Sequence, residues 1–181
     1  MSYDVDEKKP NVRLRKITKD RLKNIALYYL QRFETTQAKL REVLKRRVDN
    51  YAFYFPEFDR AAAYVWIEEI LQDCVRYQYI DDTRFAKLKI QDYLNAGKSE
   101  KYIRLKMAEK GVDETVVDEV LAAQNFNPFE NALKLARKKH IGPFRQEKNK
   151  SDYFQKDMAV LARAGFDYDV VKKVMEFSPE D

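Results

Sequence analysis

The apolar positions of this chain recur at intervals of three and four, the signature of helices that bury one face. Leu22, Ile25, Ala26, Tyr29 and Leu30 share a face and predict a helix from about Thr18 to Arg32. Leu40, Val43 and Leu44 predict a second from about Thr36 to Val48; Ala63, Ile67, Ile70, Leu71 and Cys74 predict a third from about Asp59 to Gln78. A fourth opens at Asp81 or Asp82, carries Phe85 and Leu88, and ends before Gly97. A fifth runs from near Ser99 to Lys110, and a sixth from Asp113 to about Ala123. The seventh has a strong start, with Asn127 to cap, Pro128 in the first turn and Glu130 to reach back to the cap; it ends near His140. The eighth runs from near Asp152, with Gln155 at the reciprocal capping position, to Ala164, and the ninth from Asp167 to near Phe177.

The breakers agree with this draft. Gly97, Gly111, Gly142 and Gly165 each follow an apolar-periodic stretch, where a helix ends on a left-handed residue. Pro10, Pro56, Pro128, Pro143 and Pro179 all fall between stretches. A second regularity then emerges. Residues 107–121 and 161–175 repeat one pattern at a period of 54: Gly111 aligns with Gly165, Val116-Val117 with Val170-Val171, and Val120-Leu121 with Val174-Met175. A period of this length marks a supersecondary unit, and such units stack into extended bodies that bind along a face. The fold class expected is all-α, an elongated array of three tandem three-helix repeats. Residues 1–17 form an N-terminal tail, 18–78 a first unit with an aromatic insertion at 49–58, 79–126 a second unit, and 127–181 a third unit with the C-terminal tail.

Composition narrows the class. Of 181 residues 36% are charged and 13% aromatic, with only four glycines and five prolines, which suits a folded helical protein. No apolar run is long enough to span a membrane, and the polar start of the chain, Met1 to Val12, is no signal peptide. The single cysteine, Cys74, excludes an internal disulfide and suits a reducing cytoplasm; its helical apolar context reads as core.

The formal net charge of +5 matters less than its distribution. Lys39, Arg41, Lys45, Arg46 and Arg47 crowd the second helix against Glu42, and a segment from Asn131 to Lys150 carries Lys134, Arg137, Lys138, Lys139, Arg145, Lys148 and Lys150 against Glu147. The sixth helix holds Asp113, Glu114, Asp118 and Glu119 with no base, and the third is acidic too. Two readings fit. A stacked array would gather the bases on one face for a phosphate backbone or an acidic protein groove; alternatively these are solvated faces, with acids at helix starts where the dipole favours them.

Tyr51, Phe53, Tyr54, Phe55 and Phe58, flanked by Arg46, Arg47 and Arg60, have the composition of a base-stacking surface. They equally suit a plug between helices of the first unit, the reading favoured because five bare rings would make a sticky patch. Asp81-Asp82 reads as a helix cap, not an acid–base pair. With His140 as the lone histidine and no phosphate-cradling glycine loop, neither a triad, a histidine metal cluster nor nucleotide hydrolysis finds its residues. No catalytic residue, cofactor or metal is implied.

Tyr79-Ile80-Asp81-Asp82 followed by Arg84-Phe85-Ala86 resembles the Tyr-Leu-Asp-Asp…Arg-Phe-Ala signature of the bacterial RecX regulatory proteins. Gly97-Lys98-Ser99, Ile103-Arg104 and Lys110-Gly111-Val112-Asp113 continue that pattern. Leu135-Ala136-Arg137-Lys138-Lys139 and Leu161-Ala162-Arg163-Ala164-Gly165-Phe166 resemble the family's third unit. The likeness spans roughly residues 20–177; Gln78 stands where the family usually has glycine, and the aromatic insertion is a second departure. The resemblance implies a non-enzymatic cytoplasmic monomer that binds the RecA recombinase filament on single-stranded DNA and limits filament growth, ATP hydrolysis and strand exchange. Direct contact with the DNA is the alternative, and an unrelated scaffold role a third. Partner-binding candidates, chosen by charge and expected exposure, are Arg41, Lys45, Arg46, Arg47, Lys98, Lys101, Arg104, Arg137, Lys138 and Lys139.

Overall fold

A computed structural model describes residues 14–146 and 150–178, the side chains of residues 150 and 151 excepted. The polar N-terminal segment, Glu147, Lys148, Asn149 and the tail after Ser178 therefore lie outside the described residues. Among the described residues nine α-helices follow one another: α1 (Lys19–Leu30), α2 (Gln37–Tyr54), α3 (Arg60–Arg76), α4 (Asp82–Asn95), α5 (Glu100–Ala108), α6 (Glu114–Ala123), α7 (Pro128–Lys139), α8 (Lys150–Arg163) and α9 (Tyr168–Glu176), with a 3₁₀ turn at Gly142–Phe144. The described residues contain no strand, and the fold is all-α.

Local chemistry sets the starts. From α1 to α7 each helix opens on a side chain that accepts a backbone N–H: Thr18, Thr36, Asp59, Asp81, Ser99, Asp113 and Asn127. These bonds satisfy donors that the helix itself leaves free. Two ends differ from expectation. The second helix does not stop at Val48: Val48, Tyr51 and Phe55 prolong the apolar period, nothing breaks the chain before Pro56, and residues 49–54 are its last turns. Tyr51 stacks on Phe55 at 4.4 Å and meets the edge of Phe58 at 5.0 Å, so this part of the aromatic run plugs the first core, while Phe53 stays 78% exposed. At the end of α7 the left-handed cap is His140 (φ 52°), and Gly142, left-handed as well (φ 58°), opens the 3₁₀ turn. The eighth helix starts two residues before Asp152, at Lys150.

Three separate cores form. Leu22, Leu40, Leu44, Ile67 and Leu71 centre the first, Phe85, Ile90, Ile103 and Met107 the second, and Leu135, Leu161, Phe166 and Val174 the third. Burying each such side chain contributes about 1.5–3 kcal/mol. All substantial helix packing is internal to a triplet, with α3 against α1 and α2, α6 against α4 and α5, and α9 against α7 and α8; none joins the first triplet to the third. Among the described residues the units are thus an array of three triplets, each packed chiefly within itself. The third unit has an extra clamp. The buried Asp157 carboxylate accepts the Gly142 N–H at 2.8 Å and both arms of Arg145, at 2.8 and 2.6 Å, pinning the 3₁₀ turn to α8.

The two joints between units are built alike. The Thr36 hydroxyl donates to the Lys110 carbonyl at 2.6 Å, and the Ser99 hydroxyl to the Ala164 carbonyl at 2.7 Å. In each joint the cap of one unit's second helix satisfies the end of the next unit's second helix, and a glycine follows that end. Gly111 sits so close to α2 that a Cβ there would lie 2.3 Å from Ala38 Cβ; one on Gly165 would lie 2.7 Å from Ser99 Oγ and 3.3 Å from Lys101 Cβ. Ala38 and Lys101 both stand two residues past their caps, so one close approach is used twice.

Candidate functional site

The second helix brings four candidate bases to the first unit. Arg41 lays its guanidinium on Glu68 of α3 with two bonds, at 2.8 and 2.9 Å; that hydrogen bond raises the arginine's pKa and lowers the glutamate's. Lys45 lies 5.1 Å above the Tyr64 ring. Arg46 and Arg47 are exposed and form no ion pair among the described residues. Arg41 is therefore engaged in holding α2 to α3, whereas Arg46 and Arg47 are free to meet a partner.

Arg104 is engaged as well. It bonds Asp118 at 2.7 Å and Glu100 at 2.8 Å and lies 3.6 Å from Glu114, and the bonds to Asp118 first and Glu100 next raise its pKa. The acids of α6 are thus partly accounted for by a neighbour on α5, a pairing between helices that charge counting along the chain does not show. Lys101 faces a hollow of about 360 Å³ that it shares with Arg104, Glu100 and Asp167, so its surroundings are of mixed sign. Arg137 rests 5.0 Å from the Phe144 ring, and with Lys138 and Lys134 lines a shallow hollow beside Glu130.

The convergence that stands out is at the second joint. A cleft of about 490 Å³ opens there, with Gly97, Leu135, Val160 and Ala164 among its lining. Lys98, Lys139 and Arg163 reach it from the α4–α5 link, the end of α7 and the end of α8. Lys98 lies 4.6 Å from the Tyr102 ring, and Arg163 Nε donates to the Ala159 carbonyl at 3.1 Å. None of the three cations forms an ion pair among the described residues, and no carboxylate lines the cleft. Arg163 was not among the residues expected from the sequence. Its signal was present: the corresponding place in the preceding repeat holds Glu109.

The carboxylates singled out in the sequence are structural. Asp81 caps α4 through Arg84 N–H at 2.9 Å. Asp82 reaches across the first joint to accept Gln37 N–H at 2.9 Å, capping α2 of the neighbouring unit, and burial pushes its pKa up. Cys74 lies 4% exposed in the first core, and burial pushes its thiol up, the opposite of an activated nucleophile. Among the described residues no cluster of three or more His, Cys, Asp or Glu is arranged to hold a metal, and no helix is long and apolar enough to cross a membrane.

Comparison with known proteins adds what geometry cannot. A family model described as RecX, second three-helix domain, matches residues 81–121, the span of α4 to α6. The regulatory protein RecX of Myxococcus xanthus is 36% identical over 170 residues, covering 92% of this chain and 90% of that one.

The chain belongs to the RecX family.

The RecX protein of Vibrio parahaemolyticus is 30% identical over 115 residues, 64% of this chain and 72% of its own. The crystal structure of RecX from Lactobacillus salivarius superposes with a TM-score of 0.61 at 21% identity, over 87% of this chain and 94% of that one. A second RecX crystal structure gives 0.66 at 24%, over 88% and 73%. At these identities the two structures speak for the fold: the helical array described above is the RecX fold.

Proposed function

We propose that this RecX protein is a non-enzymatic regulator that binds the RecA filament on single-stranded DNA and restrains filament growth, ATP hydrolysis and recombinase activity. The observation that carries the reading is the near full-length match to a protein named as a regulatory RecX. The architecture is compatible with it: a row of three units, with unpaired cations on the first unit and at the second joint, suits docking along a larger polymer. The protein acts as a monomer in the cytoplasm. The contact residues proposed are Lys45, Arg46, Arg47, Lys98, Lys101, Arg137, Lys138 and Lys139; Arg41 and Arg104 drop out, because withdrawing either from its carboxylates would break the fold's own ion pairs.

Titration of RecA ATPase on single-stranded DNA tests the proposal. Hydrolysis falls at substoichiometric amounts of this protein, and Arg46→Glu/Arg47→Glu or Lys138→Glu/Lys139→Glu weakens the inhibition while helix content is kept. An ATPase rate indifferent to the added protein overturns the proposal. Undiminished inhibition by both variants would instead move the contact surface elsewhere.

A further inference from the structure

The residues lining the cleft at the second joint have counterparts one repeat earlier, and bonds at the helix ends give the register. Val112 N–H returns to the Met107 carbonyl as Phe166 N–H does to Leu161, and Lys98 N–H returns to Tyr93 as Ile141 N–H does to Ala136. Arg163 then corresponds to Glu109, Leu135 to Asp92 and Lys139 to Ala96; from the caps Ser99 and Thr36, Lys98 corresponds to Thr35. The scaffold is shared but the chemistry is not: at the second joint the acids Glu34, Asp92 and Glu109 have no acidic counterpart, and Tyr102, Val160 and Ala164 stand where the first joint has Lys39, Lys106 and Lys110, so three cations there surround an apolar floor.

Helix dipoles account for part of this. Lys139 and Arg163 stand in last turns, where a positive charge is favoured, but Lys98 immediately precedes the Ser99 cap of α5, where it is not. Nor does a dipole explain the apolar floor. We propose that the cleft is the docking site for an acidic protein segment that inserts one apolar side chain between flanking carboxylates. The anchor covers Leu135, Val160 and Ala164, and the carboxylates meet Lys98, Lys139 and Arg163, the apolar-centre, polar-rim arrangement of a protein interface. Single-stranded nucleic acid fits less well. Tyr102 is the cleft's one aromatic lining residue, and its ring is already approached by Lys98 at 4.6 Å, Lys106 at 5.9 Å and the edge of Tyr93 at 5.5 Å, leaving no free stacking platform.

This inference rests on the reading of the chain as a protein-binding regulator, and its test leaves RecA out so that the two fail separately. The full chain is titrated, by fluorescence anisotropy, into a fluorescein-labelled Asp-Glu-Leu-Asp-Glu peptide, the same peptide with serine for leucine, and labelled oligothymidine. The Lys139→Ala/Arg163→Glu variant gives the cleft the residues that the first joint already accommodates, and Lys98→Thr does so independently; urea midpoints verify both folds. The leucine peptide binds more tightly than the serine peptide, and the double variant weakens it by about tenfold or more, the size expected for lost close charge pairs. Three results overturn the proposal: no preference for leucine, unchanged peptide binding by both variants, or oligothymidine that displaces the peptide and weakens in step with it.

Discussion

Substituting Gly111 by alanine probes the joint between the first and second units through two separable costs. The backbone there is left-handed, at φ 69°, which costs an L-residue about 1–2 kcal/mol. The added methyl would lie 2.3 Å from Ala38 Cβ, well inside the roughly 3.5–4.0 Å of carbon contact. Relieving that overlap by opening the joint costs about 1–3 kcal/mol, as overpacking does. Loss of glycine's freedom in the unfolded chain returns about 0.4–1 kcal/mol. Gly111→Ala therefore destabilises by roughly 2–4 kcal/mol. Ala38→Gly removes the opposing methyl and leaves the backbone cost in place, so in the double variant the overlap vanishes and the strain remains. Urea unfolding of the four proteins, with the m-value checked for constancy, yields the coupling energy. We expect the double variant to be more stable than the sum of the singles by about 1–3 kcal/mol. Additivity within about 0.5 kcal/mol would refute the contact, and with it the packing assigned to both joints.

Other positions give independent checks. Gln78 holds a left-handed backbone, φ 57°, so Gln78→Gly stabilises the protein by roughly 0.5–1 kcal/mol, read as a higher urea midpoint. Thr36 is fully buried, and its hydroxyl donates to Lys110 and accepts from Lys39; Thr36→Val leaves both groups unpaired and costs about 1–3 kcal/mol in the same assay. At Asp157, burial opposes ionisation but the bonds from Arg145 and Gly142 and the Arg145 charge outweigh it, holding the carboxyl below the usual aspartate range. Its stabilisation is full above the unfolded aspartate pKa and is lost as pH falls through the depressed folded one. Asp157→Asn should cost about 2–4 kcal/mol at neutral pH, below the fully buried range because Arg145 keeps some solvent contact. Melting temperatures of parent and variant converge in acid; a gap independent of pH would contradict the assignment.

Much of the fold was legible because its determinants are local. Asp81, Ser99, Asp113 and Asn127 cap helices that the apolar period had already outlined, and left-handed Gly97, Gly111 and Gly165 follow the ends of α4, α5 and α8. What was missed depends on partners distant in the chain. Arg41 finds Glu68 27 residues away, and Asp82 caps a helix 45 residues earlier, so neither engagement has a sequence pattern. Among the ion pairs of the candidate bases, that of Glu100 with Arg104, four apart on α5, was visible by spacing. The extension of α2 was missed for a different reason: the aromatic run suggested a separate segment, although Val48 and Tyr51 keep the helical period. The cleft was half visible, through Lys98 and Lys139, while Arg163 needed the register between repeats to be noticed.

Equilibrium binding to surface-tethered single-stranded DNA, bare or coated with RecA held in the filament by a non-hydrolysable nucleotide, addresses the central claim most directly. The account predicts tight binding to the coated strand, far weaker binding to the bare one, and loss of the former with Arg46→Glu/Arg47→Glu. Equal affinity for both strands, or none for the coated one, would contradict it.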